Sequence, residues 1–427
     1  MKIFWFVIYN FLFYPILFIG GMIGTLFNKK IREGVKGRFQ SKKELKQFIK
    51  GIDRNLSIYW FHTASHGEYE QVRPVLRGLK EIESTSLVVV SFFSPSGFNN
   101  VRDDNIDFVF YLPFDFYWSV FKTLKMIDPK KIIFASYDTW PNLIWASGKL
   151  KIHTNIFAAR FDQTTKKLVP IIRSFYRNVY DEFSTIYTIA KTDYKQLKKI
   201  VTPEKTPLIR VLGNPRYDQV KSRADGFTKD RTISVLMREK RIVVGSVWPE
   251  DEKVILGPII KLLKEDEEAS LLWIPHEPSE KYVNSSLNLF KSEGFDSVIL
   301  SNNKKLRFTN AKIHIVNIIG ILPRLYWHGQ VAYVGGGFTS GVHNVMEPAI
   351  ARLPVLFGPR YSKSHAAEEL VLAGGGFSIQ NSTDTYDILK KLLFDKNYFL
   401  SCSLAATKVI HDNLGSATRV VRGIIRD

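Results

Sequence analysis

One stretch, residues 331–360, limits the folds open to this chain more than any other. It reads VAYVGGGFTSGVHNVMEPAIARLPVLFGPR. A short apolar run leads into Gly335, Gly336 and Gly337, then Gly341, His343 and Asn344. A helical run over 345–351 follows, and a second apolar run, 354–357, stops at Gly358-Pro359. Apolar runs this short, bounded by glycine and proline, read as buried strands. Strand, loop, helix and strand in that order make a parallel unit whose sheet must be covered on both faces. Glycines at the carboxyl end of the first strand let a phosphate approach backbone N–H groups, and the following helix adds the positive end of its dipole. Glu347, in the first helical turn, is placed to accept hydrogen bonds from ribose hydroxyls. A glycine cluster alone fits a tight turn without a ligand. The whole string, three glycines and then Gly341, His343-Asn344 and Glu347-Pro348, favours a ligand site.

The same alternation fills the chain from residue 57. Strands are predicted at 58–61, 87–93, 108–112, 131–135, 155–159, 185–190 and 210–212, with helices over 68–82 and 118–126 and a helix opening at 141–146. A second series of strands follows at 242–245, 271–274, 297–300, 313–316, 331–334 and 354–357. Between the series lies the polar, turn-rich KSRADGFTKDR, 221–231, which reads as a linker. The prediction is an α/β chain of two doubly wound, Rossmann-like domains, 29–220 and 232–400, facing a cleft. Such sheets bind ligands at the carboxyl ends of their strands. The last segment, 401–427, is predicted helical and packed back across the first domain.

Residues 3–27 are almost all apolar, interrupted by Asn10 and Pro15. That is long enough for a bilayer, which takes about 20 residues. Trp5, Tyr9 and Tyr14 are residue types of membrane interfaces. Only Lys2 is basic before the run, and no small-x-small cleavage site follows it, which argues against a signal peptide. Lys29, Lys30, Arg32, Lys36 and Arg38 follow, then Lys42, Lys43, Lys46, Lys50 and Arg54. Residues 1–28 are therefore predicted to be a membrane anchor helix with the rest of the chain cytoplasmic, the basic cluster facing anionic headgroups. With 60 Lys and Arg against 41 Asp and Glu the net charge is +19, which asks for an anionic partner: nucleic acid, membrane or phosphorylated substrate. No RNA-binding motif with interleaved aromatics is present, so nucleic acid is not expected. One cysteine, Cys402, excludes an internal disulfide. There is no HExxH, no paired CxxC and no Walker-type lysine loop, and no metal site or cofactor is predicted.

Taken together, the motifs resemble one family. They are WFHTASHGEYEQVRP from Trp60, FFSPSGF from Phe92, YLPFD from Tyr111, WPNLI from Trp140, LGNPRYD from Leu212, GSVWPEDE from Gly245, PHEP from Pro275 and VGGGFTSGVHNVMEP from Val334. In that order, through about residue 380, they resemble the 3-deoxy-D-manno-octulosonic acid (Kdo) transferases of lipopolysaccharide synthesis. The resemblance implies a GT-B fold with an N-terminal membrane anchor, CMP-Kdo as donor substrate and a lipid A precursor, lipid IVA, as acceptor. It further implies inversion by single displacement without a metal, at the cytoplasmic face of the bacterial inner membrane. Three positions depart from the family's pattern. Ser136 replaces the first of two carboxylates before the WPN tryptophan, leaving Asp138. His276 stands where arginine is common, and AAR replaces N-A-R, keeping Arg160.

Transfer of a sugar from a nucleotide needs a base for the acceptor hydroxyl. Glu68 follows Gly67 at a strand's carboxyl end, and the family's catalytic glutamate falls on it. A first-turn glutamate also suits the helix dipole, a role for which Glu70 is the better placed. Asp138 orients Glu68 or binds an acceptor hydroxyl, His66 is an alternative base, and Ser65 is the loop residue that caps the helix. The leaving phosphate is expected to meet backbone N–H groups over 335–341 and the side chains of Ser246, His276 and Asn344. Arg160 and Arg216 are expected at the Kdo carboxylate or an acceptor phosphate. Two other readings stay open: a GT-B transferase using another nucleotide sugar, and an inactive membrane-bound binder.

Overall fold

The structure is a computed structural model that describes residues 2–162, 165–205, 207–228, 234–301 and 308–427. Contacts divide the chain into two compact units, Met1–Gln219 with Gly415–Asp427, and Val220–Leu414.

The first unit holds a sheet of seven strands: β1 (Ile58–Thr63), β2 (Leu87–Phe92), β3 (Phe108–Tyr111), β4 (Lys131–Ala135), β5 (His153–Ala159), β6 (Thr185–Thr188) and β7 (Leu208–Val211). Their order is β3-β2-β1-β4-β5-β6-β7, and every pairing is parallel. Successive side chains point to opposite faces, so a strand covered on both faces must be apolar at every position. Trp60, Val89 and Ile132 enter one core cluster, whereas Tyr59, Phe61, Val88, Val90 and Ile133 enter the other. The order reverses between β1 and β4. Loops leave in opposite directions there and open a crevice at the strands' carboxyl ends.

The second unit repeats the design with β8 (Arg241–Val247), β9 (Ser270–Pro275), β10 (Ser297–Leu300), β11 (Ile313–Val316), β12 (Val331–Val334), β13 (Val355–Phe357) and β14 (Gly376–Ser378). The order is β10-β11-β9-β8-β12-β13-β14, all parallel, with the reversal between β8 and β12.

Several expectations change. The segment 221–231, read as a linker, is helical as far as residue 228, within helix Arg216–Thr228, and 229–231 lie outside the described residues. The segment 401–427 is two helices. Lys396–Asp412 belongs to the second unit, and Ser416–Arg426 returns to the first after Gly415, whose φ of 79° suits glycine. Asp218 holds that return, accepting from the N–H groups of Gly415 at 2.7 Å and Ala417 at 2.8 Å. Val420, Val421 and Ile424 then join the first unit's core.

The N-terminal helix runs Lys2–Phe27. It widens to a π turn at Tyr9–Phe13, directly before Pro15, whose ring and missing N–H disrupt the normal ladder. Trp5, Tyr9 and Tyr14, expected at a lipid interface, are instead buried against the first unit. The Trp5 indole donates to Ser174 at 3.0 Å, the Tyr9 hydroxyl to Asp115 at 2.9 Å and the Asn10 amide to Asn142 at 3.0 Å. The Tyr14 hydroxyl accepts the Asp115 N–H at 2.5 Å. The opposite face is bare: Phe11 is 78% exposed, Leu17 65% and Leu26 70%. Helix Lys29–Gly51 carries the basic cluster. One member does not face outward as expected. Arg38 is buried over the rings of Phe93, Tyr111 and Phe114 and donates to the Gly34 and Phe93 carbonyls.

Candidate functional site

In the first unit the predicted residues gather at the reversal between β1 and β4. Helix His66–Ile82 starts directly after β1, with Ser65 at its N-cap position. The expected cap does not form, since the Ser65 side chain makes no capping bond. Glu68 reaches back instead, its Oε2 accepting the Ala64 N–H at 2.6 Å and lying 3.4 Å from the Thr63 hydroxyl. Its Oε1 makes no hydrogen bond among the described residues. Burial, then the Asp138 carboxylate, hold Glu68 above the ordinary carboxylate range, against the pull of Ala64 N–H, His62 and Thr63.

Asp138 is fixed by a residue the sequence reading passed over. His62, fully buried on β1, places Nε2 2.8 Å from Asp138 Oδ2 and Nδ1 2.8 Å from the Ser91 hydroxyl. The Trp60 indole donates to that same hydroxyl at 2.7 Å. Ser91 accepts from Trp60, so its own proton is free for His62 Nδ1, and the imidazole then donates from Nε2 to Asp138. The relay runs Trp60, Ser91, His62, Asp138. The sequence signal was present, because His62 lies on the strand that leads into Glu68, but a lone histidine in an apolar run reads as core.

Arg160, at the end of β5, is buried, and Arg216 is half-buried at the start of its helix. Both lie within electrostatic reach of the Tyr137 hydroxyl, as do Glu68 and Asp162. The two arginines, the glutamate and the Asp138 loop therefore share one neighbourhood. Ser136 does not share it: its backbone is left-handed at φ 62° and its hydroxyl turns inward to Gln71 at 2.6 Å. Glu70 is buried beside Arg73 at 3.6 Å, and His66 lies 4.0 Å from it, which ties both into charge pairs along their own helix. Gly67 is exposed, and a side chain there would make only ordinary contact with Ser65.

In the second unit the glycine loop follows β12, next to the end of β8. Packing gives two of its glycines a reason beyond the predicted one. A Cβ on Gly335 would collide with the Ser246 carbonyl, and one on Gly337 with the Gly358 backbone, so packing within the protein requires both glycines. Gly336 and Gly341 have φ of 91° and 133°. The loop also uses its own N–H groups: Gly335 donates to Gly245, Gly341 to Gly336 and His343 to Gly335. Gly336 donates to Asp251 Oδ2 at 2.9 Å. These N–H groups are not free for a phosphate. The following helix, Met346–Ile350, is five residues long and has little dipole to offer.

Rings and side chains line the same place. The Trp248 indole donates to His343 Nε2 at 3.0 Å, with the two rings 4° from coplanar. His276 stacks across both, 4.3 Å from Trp248 and 4.6 Å from His343. Burial and then His276 hold His343 below the ordinary imidazole range, which suits its role as an acceptor. Ser246 sits at a bulge in β8 with φ 55°. Asn344 Oδ1 accepts the Met346 N–H at 3.2 Å, leaving its amide group for a ligand. Glu347 is half-buried, 3.8 Å from Arg223. Among the described residues no group of three or more His, Cys, Asp or Glu side chains is placed to hold a metal.

Residues 33–219 match the family model described as 3-deoxy-D-manno-octulosonic-acid transferase (kdotransferase). Transferases of that name match most of the chain. The Chlamydia trachomatis protein is 26% identical over 90% of this chain and 85% of its own length. The Aquifex aeolicus protein is 27% identical over 78% and 85%, and the Haemophilus influenzae protein 24% identical over 85% and 85%. The chain is similar to Kdo transferases over most of its length. The relatives so named are glycosyltransferases. Solved structures that it resembles show the fold. A putative UDP-N-acetylglucosamine 2-epimerase from Listeria monocytogenes superposes with TM-score 0.60 at 12% identity, over 86% of this chain and 96% of the other. The UDP-GlcNAc 2-epimerase from Neisseria meningitidis gives 0.60 at 13% identity, over 87% and 100%. The architecture is GT-B-like. The family model lies within the unit that carries Glu68, His62 and Asp138.

Proposed function

We propose that the chain transfers Kdo from CMP-Kdo to a lipid A precursor in lipopolysaccharide synthesis, by an inverting single displacement with Glu68 as general base. The observation that carries this reading is the Glu68 carboxylate itself. One oxygen is fixed by Ala64 N–H, the other is unbonded, and burial beside Asp138 raises its basicity. A carboxylate so held accepts a proton from an attacking hydroxyl better than an ordinary surface glutamate. His62 keeps Asp138 in place, and Arg160 and Arg216 supply cations for the Kdo carboxylate or an acceptor phosphate. On the donor side the phosphate falls to the side chains of Ser246, His276 and Asn344, and the ribose to Glu347. The bare apolar face of the N-terminal helix, beside the lysines of Lys29–Gly51, seats the protein on an anionic bilayer at its cytoplasmic face.

The test is incubation of the purified full-length protein with CMP-Kdo and the tetra-acylated lipid A precursor, with product masses read out. Addition of whole Kdo units is the expected result. Transfer from UDP-hexose instead, or no transfer with both substrates present, would overturn the proposal.

A further inference from the structure

The first unit encloses a cavity of about 550 Å³ between the N-terminal helix, the basic helix and the loops after β2 and β4. Leu17 and Met22 form one wall, Ile31 and Val35 a second, and Phe93 and Trp140 the base. The volume lies in the range of small-molecule sites, about 300–1,000 Å³. The walls offer water few partners, and water needs two to four polar ones to stay. Lys30 stands at the border, exposed. Arg38 lines the cavity, but its guanidinium is already spent on two carbonyls.

The cavity's position distinguishes it from a packing defect. Its base is shared with the site. Trp140 lies two residues beyond Asp138, and its ring is 6.3 Å from His62 and 4.9 Å from Phe93. The Trp140 Nε1 is buried without a hydrogen-bond partner. Its outer wall continues onto the bare apolar face, since Leu17 lines the cavity and is also 65% exposed.

Building on the proposed activity, we infer that this cavity holds one acyl chain of the lipid acceptor, with Lys30 meeting the acceptor's phosphate. Three features select that occupant. The lining is apolar, the mouth carries a cation, and the base adjoins the residues that activate the acceptor hydroxyl. A chain seated here keeps its sugar headgroup beside Glu68 while the rest of the lipid stays in the bilayer. Specificity for an acylated acceptor follows from the enzyme's own packing and not from the membrane alone.

Gly21 gives a clean test. It borders the cavity, and a Cβ there would have no neighbour within 4 Å, so Gly21→Phe places a ring in the void without moving backbone. Full-length wild type and variant are assayed in detergent with the tetra-acylated precursor and with its fully deacylated sugar phosphate. Wild type is expected to prefer the acylated acceptor in kcat/KM by about tenfold or more, the effect of burying only two or three methylenes. The variant is expected to lose most of that preference while keeping its donor KM and its turnover of the deacylated acceptor. An unchanged preference in the variant, or equal use of both acceptors by wild type, would sink the inference and leave the proposed activity standing. No transfer to either acceptor by wild type would sink the activity itself. As a second readout, an acceptor with brominated chains is expected to quench tryptophan fluorescence in wild type and much less in Gly21→Phe. Equal quenching by brominated phosphatidylglycerol would make the occupant bulk lipid and overturn the assignment.

Discussion

The Gly336 N–H donates to Asp251 Oδ2 at 2.9 Å, joining the loop after β12 to the first turn of the helix after β8. Asp251 is fully buried and accepts from two further donors, the Trp248 N–H at 2.9 Å and the Tyr333 hydroxyl at 2.7 Å. One carboxylate thus fixes both sides of the second unit's strand-order reversal. The glycine loop is shaped by the protein before any ligand arrives, and the His343–Trp248 pair is held by the same assembly.

Asp251→Ala is therefore expected to act on shape and not on contact with the nucleotide. Three donors would lose their acceptor, and the two buried ones, Tyr333 and Gly336, cost about 1–3 kcal/mol each. The variant should unfold at a clearly lower temperature and bind CMP at least tenfold more weakly. Calorimetry with and without CMP checks both, and a variant with normal Tm and CMP affinity would refute the role.

Glu68→Gln keeps an oxygen for the Ala64 N–H but cannot take a proton. Loss of transfer by about 10²–10⁴-fold is expected, with CMP affinity unchanged. Near-normal turnover would remove Glu68 from the mechanism.

The pH profile carries the same logic with a definite sign. Glu68 acts as a base only when ionised, and burial with Asp138 raises its pKa, so the acid limb of kcat/KM should lie above the ordinary glutamate range. Asp138→Asn removes a like charge and should move that limb to lower pH, although the maximum rate falls because the His62 Nε2–H then meets a neutral amide oxygen in place of a carboxylate. The same raised pKa means that ionising Glu68 costs the fold. This group's contribution to stability is therefore highest at low pH and is lost as pH rises from the unfolded toward the folded pKa. A limb that stays put in Asp138→Asn would show that the two carboxylates do not interact.

Much of this was legible before any coordinates. Apolar strands alternating with helices announce two parallel sheets, because only a sheet covered on both faces needs residues such as Trp60, Phe61, Val89 and Val90 in unbroken series. The place of Glu68 followed from the same reading, a carboxylate one turn beyond a strand's carboxyl end. What escaped depends on partners far apart in the chain. His62 and Asp251 look like a core histidine and a helix-start acid until Asp138 and Gly336 are brought to them. The glycines of 335–337 stand out in the sequence as a ligand turn, whereas the steric demand of Ser246 on Gly335 and of Gly358 on Gly337 is invisible without the fold.

Gly67 and Gly337 should therefore respond differently to the same change. Nothing in the fold crowds a side chain at Gly67, whereas at Gly337 it would run into Gly358. Gly67→Val should fold with near-normal Tm yet lose most transfer, if acceptor approaches the backbone beside Glu68. Gly337→Val should lose stability first, because overpacking costs about 1–3 kcal/mol or more. Equal loss of Tm in the two variants would contradict the distinction.

The N-terminal helix packs into the first unit, and the last prediction separates that role from the proposed membrane anchoring. A free membrane span could be cut away without touching the folded unit. This helix instead supplies the Tyr9 hydroxyl to the fully buried Asp115 and covers Asn142, while Tyr14 accepts the Asp115 N–H. Asp115 otherwise caps the start of helix Pro141–Lys149 through the N–H groups of Asn142 and Leu143, both at 3.1 Å. That helix begins one residue after Trp140 and so helps set the loop that carries Asp138. Tyr9→Phe removes one donor without altering the apolar face. It should leave membrane association intact, lower Tm measurably through about 1–3 kcal/mol, and reduce turnover modestly. Deleting residues 2–27 should do more than release the protein from the bilayer. With Asp115 and the surrounding aromatic cluster opened to water, the truncated protein should be markedly less stable even in detergent. If the truncated protein keeps the full-length Tm and turns over dispersed acceptor at the full-length rate, the helix is only an anchor and its buried polar contacts contribute nothing to the site.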